Sequence, residues 1–334
     1  MSNKVILDVD PGIDDAIAII TALRSSKIEL IGIATVYGNV TPQVGILNIL
    51  KVLESMNRVD IPVILGAQRP LIKDFLPSII IKRKETNHGK YGLGNLYSNP
   101  SIINESLKKR TSKGKMPSTI ISYKSFLEYV DEIMKHYGDG DISIISTGPL
   151  TNIAHAILYR PEFIPKISQL SIMGGAYGLG SNIRGNITRH AEFNFYCDPE
   201  AARVVLNSPS LSSKIKVVGL DVTQHPSCEL DGEFVNIVRQ NLSIRKSSSA
   251  ELILSLLDFK LSHNSVFYLH DVLAVLLHEK PSYFSFRRGN IEIKLGGKLR
   301  GNSEFIHDGT SGNVQLAMAV KNNELANFLY SRLA

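Results

Sequence analysis

The chain of 334 residues contains no tryptophan and only two cysteines, Cys197 and Cys228. Two cysteines cannot form the disulfide framework that stabilises small secreted proteins, so they are either buried thiols or a single bridge. The chain also lacks a run of about 18 or more apolar residues, which argues against a membrane-spanning helix. No signal peptide is expected, because the first predicted strand begins at residue 4. We therefore expect a cytoplasmic protein with no membrane partner.

Charge of one sign is not in large excess. The 37 Lys and Arg residues stand against 31 Asp and Glu residues, which gives a net charge of +6. The basic residues cluster chiefly at 82–84, 108–115 and 287–288, and no known nucleic-acid-binding motif accompanies them. We interpret these clusters as solvated loops and predict no nucleic-acid partner.

Apolar runs of strand length alternate with segments of helical periodicity along most of the chain. This order predicts an α/β fold, an open, mostly parallel, Rossmann-like sheet flanked by helices. Residues 70–118 interrupt the alternation, and long irregular segments of this kind are commonly lids or binding loops. We predict a single domain over residues 1–334 with a flap at 70–118. The predicted strands are 4–10, 29–36, 62–66, 142–145, 169–173, 216–220 and three within 290–320; the predicted helices are 14–25, 41–56, 122–137, 151–159, 272–279, 322–332 and much of 231–263; residues 185–194 are a predicted polar loop.

The most unusual stretch is residues 5–16, where four acidic residues, Asp8, Asp10, Asp14 and Asp15, surround a Pro-Gly turn. The turn separates the first predicted strand from the first helix, and ligands of open α/β sheets bind at such strand ends. Singly, each aspartate is explained as a helix cap or a solvated turn residue. Together they repel one another strongly at a partly buried site. A divalent cation that prefers oxygen ligands, such as Ca²⁺, would remove that repulsion.

A strand that ends in Asp-x-Asp is also typical of phosphatases of the haloacid-dehalogenase type. Those enzymes usually continue into a small hydroxyl-bearing residue that holds phosphate, whereas Pro11 and Gly12 stand here. This alternative predicts a phosphoaspartate at Asp8 and a preference for Mg²⁺.

The same stretch resembles the N-terminal signature of nucleoside hydrolases, Asp-x-Asp-Pro-Gly-x-Asp-Asp-Ala, at every fixed position. Seven further motifs of that family follow in order, at 35–39, 88–94, 147–152, 173–176, 185–194, 198–202 and 270–271. The resemblance implies hydrolysis of the N-glycosidic bond of a ribonucleoside to ribose and free base, with Ca²⁺ as cofactor. It also implies a homodimer or homotetramer.

The resemblance assigns roles to individual residues. Asp10 is the implied general base and a Ca²⁺ ligand, and His270 is the implied acid toward the leaving base. The other implied ligands are the carboxylates of Asp15 and Asp271 and the backbone carbonyl of Thr147. The implied substrate-binding residues are Asp14, Asn39, Asn186, Glu192 and Asn194 for the ribose, and His88 for the base.

Two departures from the family pattern occur, Val272 where Pro is usual and Tyr91 where a small or acidic residue is common. One purine-selective branch of the family stacks the base between tryptophans, and this chain has none. The preferred base therefore stays open, with stacking candidates Tyr91, Tyr177, Phe259 and Tyr268. A non-catalytic nucleoside-binding protein is a further alternative, which the presence of both Asp10 and His270 disfavours.

Overall fold

A mostly parallel sheet runs through the computed structural model, which describes residues 2–72, 87–94, 96, 125–179, 184–243, 247–309, 312–321 and 323–333. The described strands are β1 (Asn3–Val9), β2 (Ile28–Thr35), β3 (Val63–Ile64), β4 (Ile142–Ser146), β5 (Ile167–Met173), β6 (Ile215–Val218), β7 (Leu230–Asp231), β8 (Val266–Phe267), β9 (Phe284–Ile293), β10 (Ser303–His307) and β11 (Val314–Val320). In the sheet they lie in the order β10-β9-β11-β6-β5-β4-β1-β2-β3, and β9 alone runs antiparallel to both of its neighbours. A separate antiparallel pair joins β7 and β8.

Helices cover both faces of the sheet and bury its apolar side chains. The described helices are α1 (Ile13–Leu23), α2 (Pro42–Ser55), α3 (Phe126–His136), α4 (Thr151–Tyr159), α5 (Phe193–Cys197), α6 (Pro199–Leu206), α7 (Leu220–Thr223), α8 (Gly232–Ser243), α9 (Ser248–His263), α10 (His270–Glu279) and α11 (Glu324–Leu333). Helices α1, α2, α8, α9, α10 and α11 pack on one face of the sheet, and α3, α4 and α6 pack on the other. The short helices α5 and α7 lie at the carboxyl ends of strands.

Strand β1 lies in the interior of the sheet, and the acidic stretch begins at its carboxyl end. It is paired in parallel with β2 on one side and with β4 on the other. Val5, Leu7 and Val9 belong to the core on one face, and Ile6 belongs to the core on the opposite face. The chain connections diverge on the two sides of β1, which makes its carboxyl end a topological switch point where ligands bind in such sheets.

The predicted fold class is confirmed, and the corrections concern local segments near the site. Helix α5 begins inside the predicted loop 185–194, and α7 occupies residues where a strand end was predicted. Helix α10 begins at His270, two residues earlier than predicted, so that Val272 lies in its first turn. The basic pair 287–288 lies in strand β9 rather than in a loop.

Three further expectations can be compared with the described residues. Cys197 and Cys228 are both buried and form no disulfide with each other. Among the helices of the described ranges, none combines the length and the apolar character that crossing a bilayer requires. Most of the predicted flap, including the basic clusters at 82–84 and 108–115, lies outside the described residues.

His278 gives the fold a testable pH dependence. It is buried between α10 and the sheet, where its Nδ1 lies 3.0 Å from Nε2 of Gln169. Burial, together with the charge of Lys216, lowers the pKa of His278 to about 4. Because the unfolded chain binds this proton near pH 6.5, the free energy of unfolding should fall as pH drops from 6.5 to 4. The loss should be about 3 kcal/mol.

The variant His278→Gln removes this titration. Its free energy of unfolding, measured by urea denaturation between pH 4 and 7.5, should depend less steeply on pH than that of the wild type. His190→Gln, at an exposed position, is the control and should keep the wild-type slope. Equal slopes in the wild type and His278→Gln would contradict the assignment.

Candidate active site

The site begins where β1 ends. Asp10 follows β1 directly and is fully buried, with Oδ2 accepting a hydrogen bond from the backbone N–H of Asn39 at 2.6 Å. Gly38 and Gly148 make room for this carboxylate. A Cβ on Gly38 would overlap the Asp10 carboxylate, and a Cβ on Gly148 would lie 3.1 Å from its Oδ1. Two glycines from neighbouring strand ends therefore enclose the carboxylate of Asp10.

Asp15 and Asp271 form a buried pair beside Asp10. Oδ2 of Asp15 accepts a hydrogen bond from the N–H of Gly12 at 2.9 Å, and Oδ1 accepts one from the hydroxyl of Thr147 at 2.7 Å. Asp271 lies close enough to Asp15 for the two carboxylates to repel each other. Burial raises the pKa of Asp15 to about 6. Burial raises the pKa of Asp271 well above its usual value, and repulsion from Asp15, Asp14 and Asp10 adds to the increase.

Asp14 faces different neighbours. Its Oδ1 lies 2.7 Å from Nζ of Lys260 and 3.6 Å from Nδ1 of His88. Burial alone would raise the pKa of Asp14, but the charges of Lys260, His88 and His270 lower it well below its usual range. Asp14 is therefore held in its ionised form by the cationic side of the site.

His88 docks residues 87–94 onto the start of α1. Its Nδ1 accepts a hydrogen bond from the backbone N–H of Ile13 at 3.1 Å. From α2, the side-chain amide of Asn48 donates to the carbonyl oxygen of Tyr91 at 2.8 Å. These two hydrogen bonds place His88 on the wall of the site. Its Nδ1 is occupied by the hydrogen bond from α1.

Glu192 and Asn194 connect α5 to the strand ends. Glu192 accepts hydrogen bonds from the backbone N–H groups of Asn194 at 2.7 Å and of Gly175 at 3.0 Å. The side-chain amide of Asn194 donates to the carbonyl oxygens of Thr147 at 2.8 Å and of Met173 at 3.1 Å. The Thr147 carbonyl is thereby fixed in direction, and it keeps a second lone pair for another partner.

His270 is oriented by a hydroxyl group. Its Nδ1 lies 2.8 Å from Oγ1 of Thr223, which is fully buried on α7. Its ring stacks on Tyr268, with ring centroids 5.9 Å apart and planes inclined by 27°. When the Thr223 hydroxyl donates to Nδ1, the imidazole carries its proton on Nε2.

Two neighbouring cavities, both open to solvent, lie above these groups in the described part of the chain. They share Asn87, Lys260 and His270. Asp10 and Asp15 do not line either cavity. The first is lined by nine of the predicted site residues, Asp14, Asn39, His88, Thr147, Asn186, Glu192, Asn194, His270 and Asp271, and the second by aromatic and amide side chains that include Gln224, Phe259, Asn264 and Tyr268. Concave sites lined by a few convergent polar groups bind small molecules.

Comparison with known proteins decides the family. The family model described as inosine-uridine preferring nucleoside hydrolase matches residues 5–327. The chain belongs to this family. Probable uridine nucleosidase 2 of Arabidopsis thaliana is 33% identical over 305 residues, or 90% of this chain and 84% of that protein. The inosine-uridine preferring nucleoside hydrolase of Leishmania major is 31% identical over 304 residues, or 90% of this chain and 86% of that protein.

A solved structure supports the same assignment. A purine-preferring ribonucleoside hydrolase from Gardnerella vaginalis has a TM-score of 0.82 at 26% identity, and the match covers 99% of this chain and 98% of that one. Membership of the nucleoside hydrolase family confirms the enzyme class predicted from the sequence, a ribonucleoside hydrolase of the N-glycosidase type. These relatives carry names for different bases, so family membership leaves the preferred base unassigned.

For this nucleoside hydrolase, the structure adds cavity residues that the sequence argument missed, namely Asn87, Met173, Phe193 and Lys260. Lys260 had a signal in the sequence. It falls on the same helical face as Ile253, Leu256 and Leu257, so a charged side chain occupies a core-facing position of α9. Such a residue is buried only when it has a partner, which here is Asp14.

The four aromatic candidates for base stacking separate into two pairs. Phe259 and Tyr268 line the second cavity. Tyr91 and Tyr177 line neither cavity, and the Tyr177 hydroxyl donates instead to the carbonyl oxygen of Gly174 at 3.1 Å.

Proposed function

We propose that this nucleoside hydrolase is Ca²⁺-dependent, with Asp10 as general base and His270 as general acid. The observation that carries the proposal is the convergence of Asp10, Asp14, Asp15 and Asp271 beneath one polar cavity. For all of these buried carboxylates to be ionised together, positive charge is needed in addition to Lys260, His88 and His270. A ribonucleoside supplies the hydroxyl groups that the polar rim of the cavity can bind.

The residues fit a hard cation by donor type and by charge. Asp10, Asp15, Asp271 and the Thr147 carbonyl offer only oxygen donors, which Ca²⁺ prefers. As they stand, no three Asp, Glu, His or Cys side chains in the described ranges are spaced as ligands of one ion. Ligation would therefore require these side chains to move closer together. When bound, the cation would supply charge that keeps these carboxylates ionised together and would acidify water.

The reaction divides between two proton-transfer residues. Asp10 takes a proton from the attacking water while the water oxygen forms a bond to C1′ of the ribose. The bond between C1′ and the base nitrogen breaks, and its electron pair leaves with the base. His270 acts as the imidazolium: it donates the proton that neutralises the departing base and becomes a neutral imidazole. In the charged form its Nδ1–H donates to the Thr223 hydroxyl, which leaves the Nε2 proton for the base.

The residues at the rim of the first cavity bind the ribose. Asp14 accepts a hydrogen bond from a ribose hydroxyl, as an ionised carboxylate does well. The other proposed ribose contacts are Asn39, Asn186, Glu192 and Asn194, which offer both donors and acceptors to hydroxyl groups. His88 is proposed to contact the base from the cavity wall.

One assay tests the proposed function. Purified protein is incubated separately with uridine, inosine, adenosine and cytidine, and released ribose is measured as reducing sugar. Ribose from at least one nucleoside is expected. Binding without ribose release would favour a non-catalytic nucleoside-binding protein. Phosphate release from a nucleotide, without ribose from any nucleoside, would favour the phosphatase alternative.

The homo-oligomeric state and the cytoplasmic location inferred from the sequence stay predictions.

The role of His270 predicts an effect that depends on the leaving group. His270→Ala should lower kcat/KM for natural nucleosides by about 10²- to 10⁴-fold, the usual contribution of a general acid. For 4-nitrophenyl riboside, whose leaving group departs without a proton, the loss should stay within about 5-fold. His225→Ala is the control on the exposed surface. Equal losses on both kinds of substrate would exclude His270 as the acid.

A further inference from the structure

Lys260 stands on the wall that the two cavities share. Its ammonium is within 2.7 Å of Asp14 in the first cavity, and the residue also lines the second. Only 9% of Lys260 is exposed, although lysine is rarely buried unless it is paired. A cation in this position contacts whatever ligand spans the two cavities.

The ammonium of Lys260 has donor capacity to spare. It carries three N–H groups, and Asp14 is the one carboxylate that pairs with it among the described residues. A buried ammonium with unused N–H groups is energetically costly. A ligand that brings a hydrogen-bond acceptor to this point would therefore be bound more strongly than one that does not.

The two cavities differ in the chemistry of their walls. Hydroxyl-binding side chains dominate the first, which we assign to the ribose in the proposed function. Aromatic rings and amides, among them Phe259, Tyr268 and Gln224, line the second. Such a wall suits a nucleobase, because aromatic rings can stack on the base and amides can form hydrogen bonds with its polar edge atoms. The glycosidic bond would then cross the shared wall, beside Lys260 and His270.

Position limits which atom of the base Lys260 can reach. Its ammonium contacts a carboxylate that we assign to a ribose hydroxyl, so it lies close to the sugar. The base atoms nearest the sugar are those bonded to the carbons beside the glycosidic nitrogen. In a pyrimidine nucleoside one of these is the oxygen of the 2-oxo group, a strong acceptor.

We propose that Lys260 is a specificity-determining residue that donates a hydrogen bond to the 2-oxo group of a pyrimidine base. The proposal rests on the proposed hydrolysis of ribonucleosides and adds the feature of the base that is recognised. As the glycosidic bond breaks, its electron pair passes to N1 of the base and spreads onto the 2-oxo oxygen. Lys260 remains protonated, and its hydrogen bond strengthens as this negative charge grows.

A sulfur substitution in the substrate tests the contact. Sulfur accepts hydrogen bonds weakly. In 2-thiouridine sulfur replaces the 2-oxo oxygen, whereas 4-thiouridine keeps that oxygen. In Lys260→Met, kcat/KM should fall about 10- to 100-fold for uridine and 4-thiouridine, the range for one hydrogen bond to a charged group. For 2-thiouridine the loss in kcat/KM should be at least about 10-fold smaller than for uridine. Lys51→Met, at an exposed site on α2, is the matched control.

Further substrates separate the proposal from its alternatives. With 4-nitrophenyl riboside, Lys260→Met reports only the loss in kcat/KM that follows from leaving Asp14 without its ammonium, since no base is present to contact, and this loss should be at least about 10-fold smaller than the loss for uridine. If kcat/KM falls as much for 4-nitrophenyl riboside as for uridine, Lys260 serves only to hold Asp14, and the proposal is overturned. An equal loss for uridine and 2-thiouridine overturns it as well. Failure of the wild type to release ribose from any nucleoside would instead refute the proposed function itself.

Discussion

Asp10→Asn should abolish nucleoside turnover, with kcat lowered by at least about 10⁴-fold, because the variant loses a general base and a cation ligand together. Asparagine has nearly the same shape and still offers an oxygen to the N–H of Asn39, so the loop around Gly38 should stay in place. Ribose release from uridine and inosine, measured with excess enzyme, checks the loss. An unchanged far-ultraviolet circular dichroism spectrum would show that the fold persists.

Asp8→Asn is the matched control from the same strand. Asp8 is also fully buried, and it accepts hydrogen bonds from Asn152 at 2.7 Å and from Ser146 at 3.3 Å. Burial raises the pKa of Asp8 to about 7, so a neutral side chain is already common there at neutral pH. We expect Asp8→Asn to keep activity within about tenfold, since it alters hydrogen bonds and no reacting group. Loss of all activity in Asp8→Asn is what the phosphatase alternative requires, because Asp8 would carry its phosphoaspartate.

The acidic stretch shows why so much of the site was predictable from sequence. Asp10, Asp14 and Asp15 are close in the chain, and the Pro-Gly turn between a strand and a helix fixes their relative positions. Asp271 is distant in sequence, and physical reasoning alone did not place it beside Asp15. The resemblance to a family supplied that residue, and the packing of α10 against α1 explains how it arrives there.

Other features depend on tertiary contacts that leave a weak trace in the sequence. Helix α5 is only five residues long and begins within a polar loop, where Glu192 caps it by accepting from two backbone N–H groups. Periodicity cannot reveal so short a helix. The position of Lys260 required knowing that the end of α9 reaches the cavities. The use of His88 Nδ1 as an acceptor for Ile13 likewise depends on where residues 87–94 dock.

Removal of the cation should abolish activity and lower the melting temperature, and Ca²⁺ should restore both. Without it, Asp15 and Asp271 remain buried together and repel each other and their acidic neighbours. A cation that binds only the folded state at 100 times its dissociation constant stabilises that state by about 2.7 kcal/mol. Protein dialysed against a chelator should therefore melt several degrees lower, by differential scanning calorimetry, than protein with Ca²⁺ added back. Mg²⁺ should restore less, because it demands a stricter octahedral arrangement of ligands.

The variant Asp271→Asn ties this effect to the proposed site. It should lose most of the Ca²⁺-dependent rise in melting temperature, because one of three carboxylate ligands becomes a neutral amide. Asp258→Asn, an exposed position on α9 that pairs with Arg239, should keep the full rise. The thermal measurement does not require turnover, so it reads the cation site even in a variant that has lost catalysis. A metal-free protein that melts at the same temperature with and without Ca²⁺, and hydrolyses nucleosides at full rate, would show that the carboxylates of Asp10, Asp15 and Asp271 are balanced without an ion.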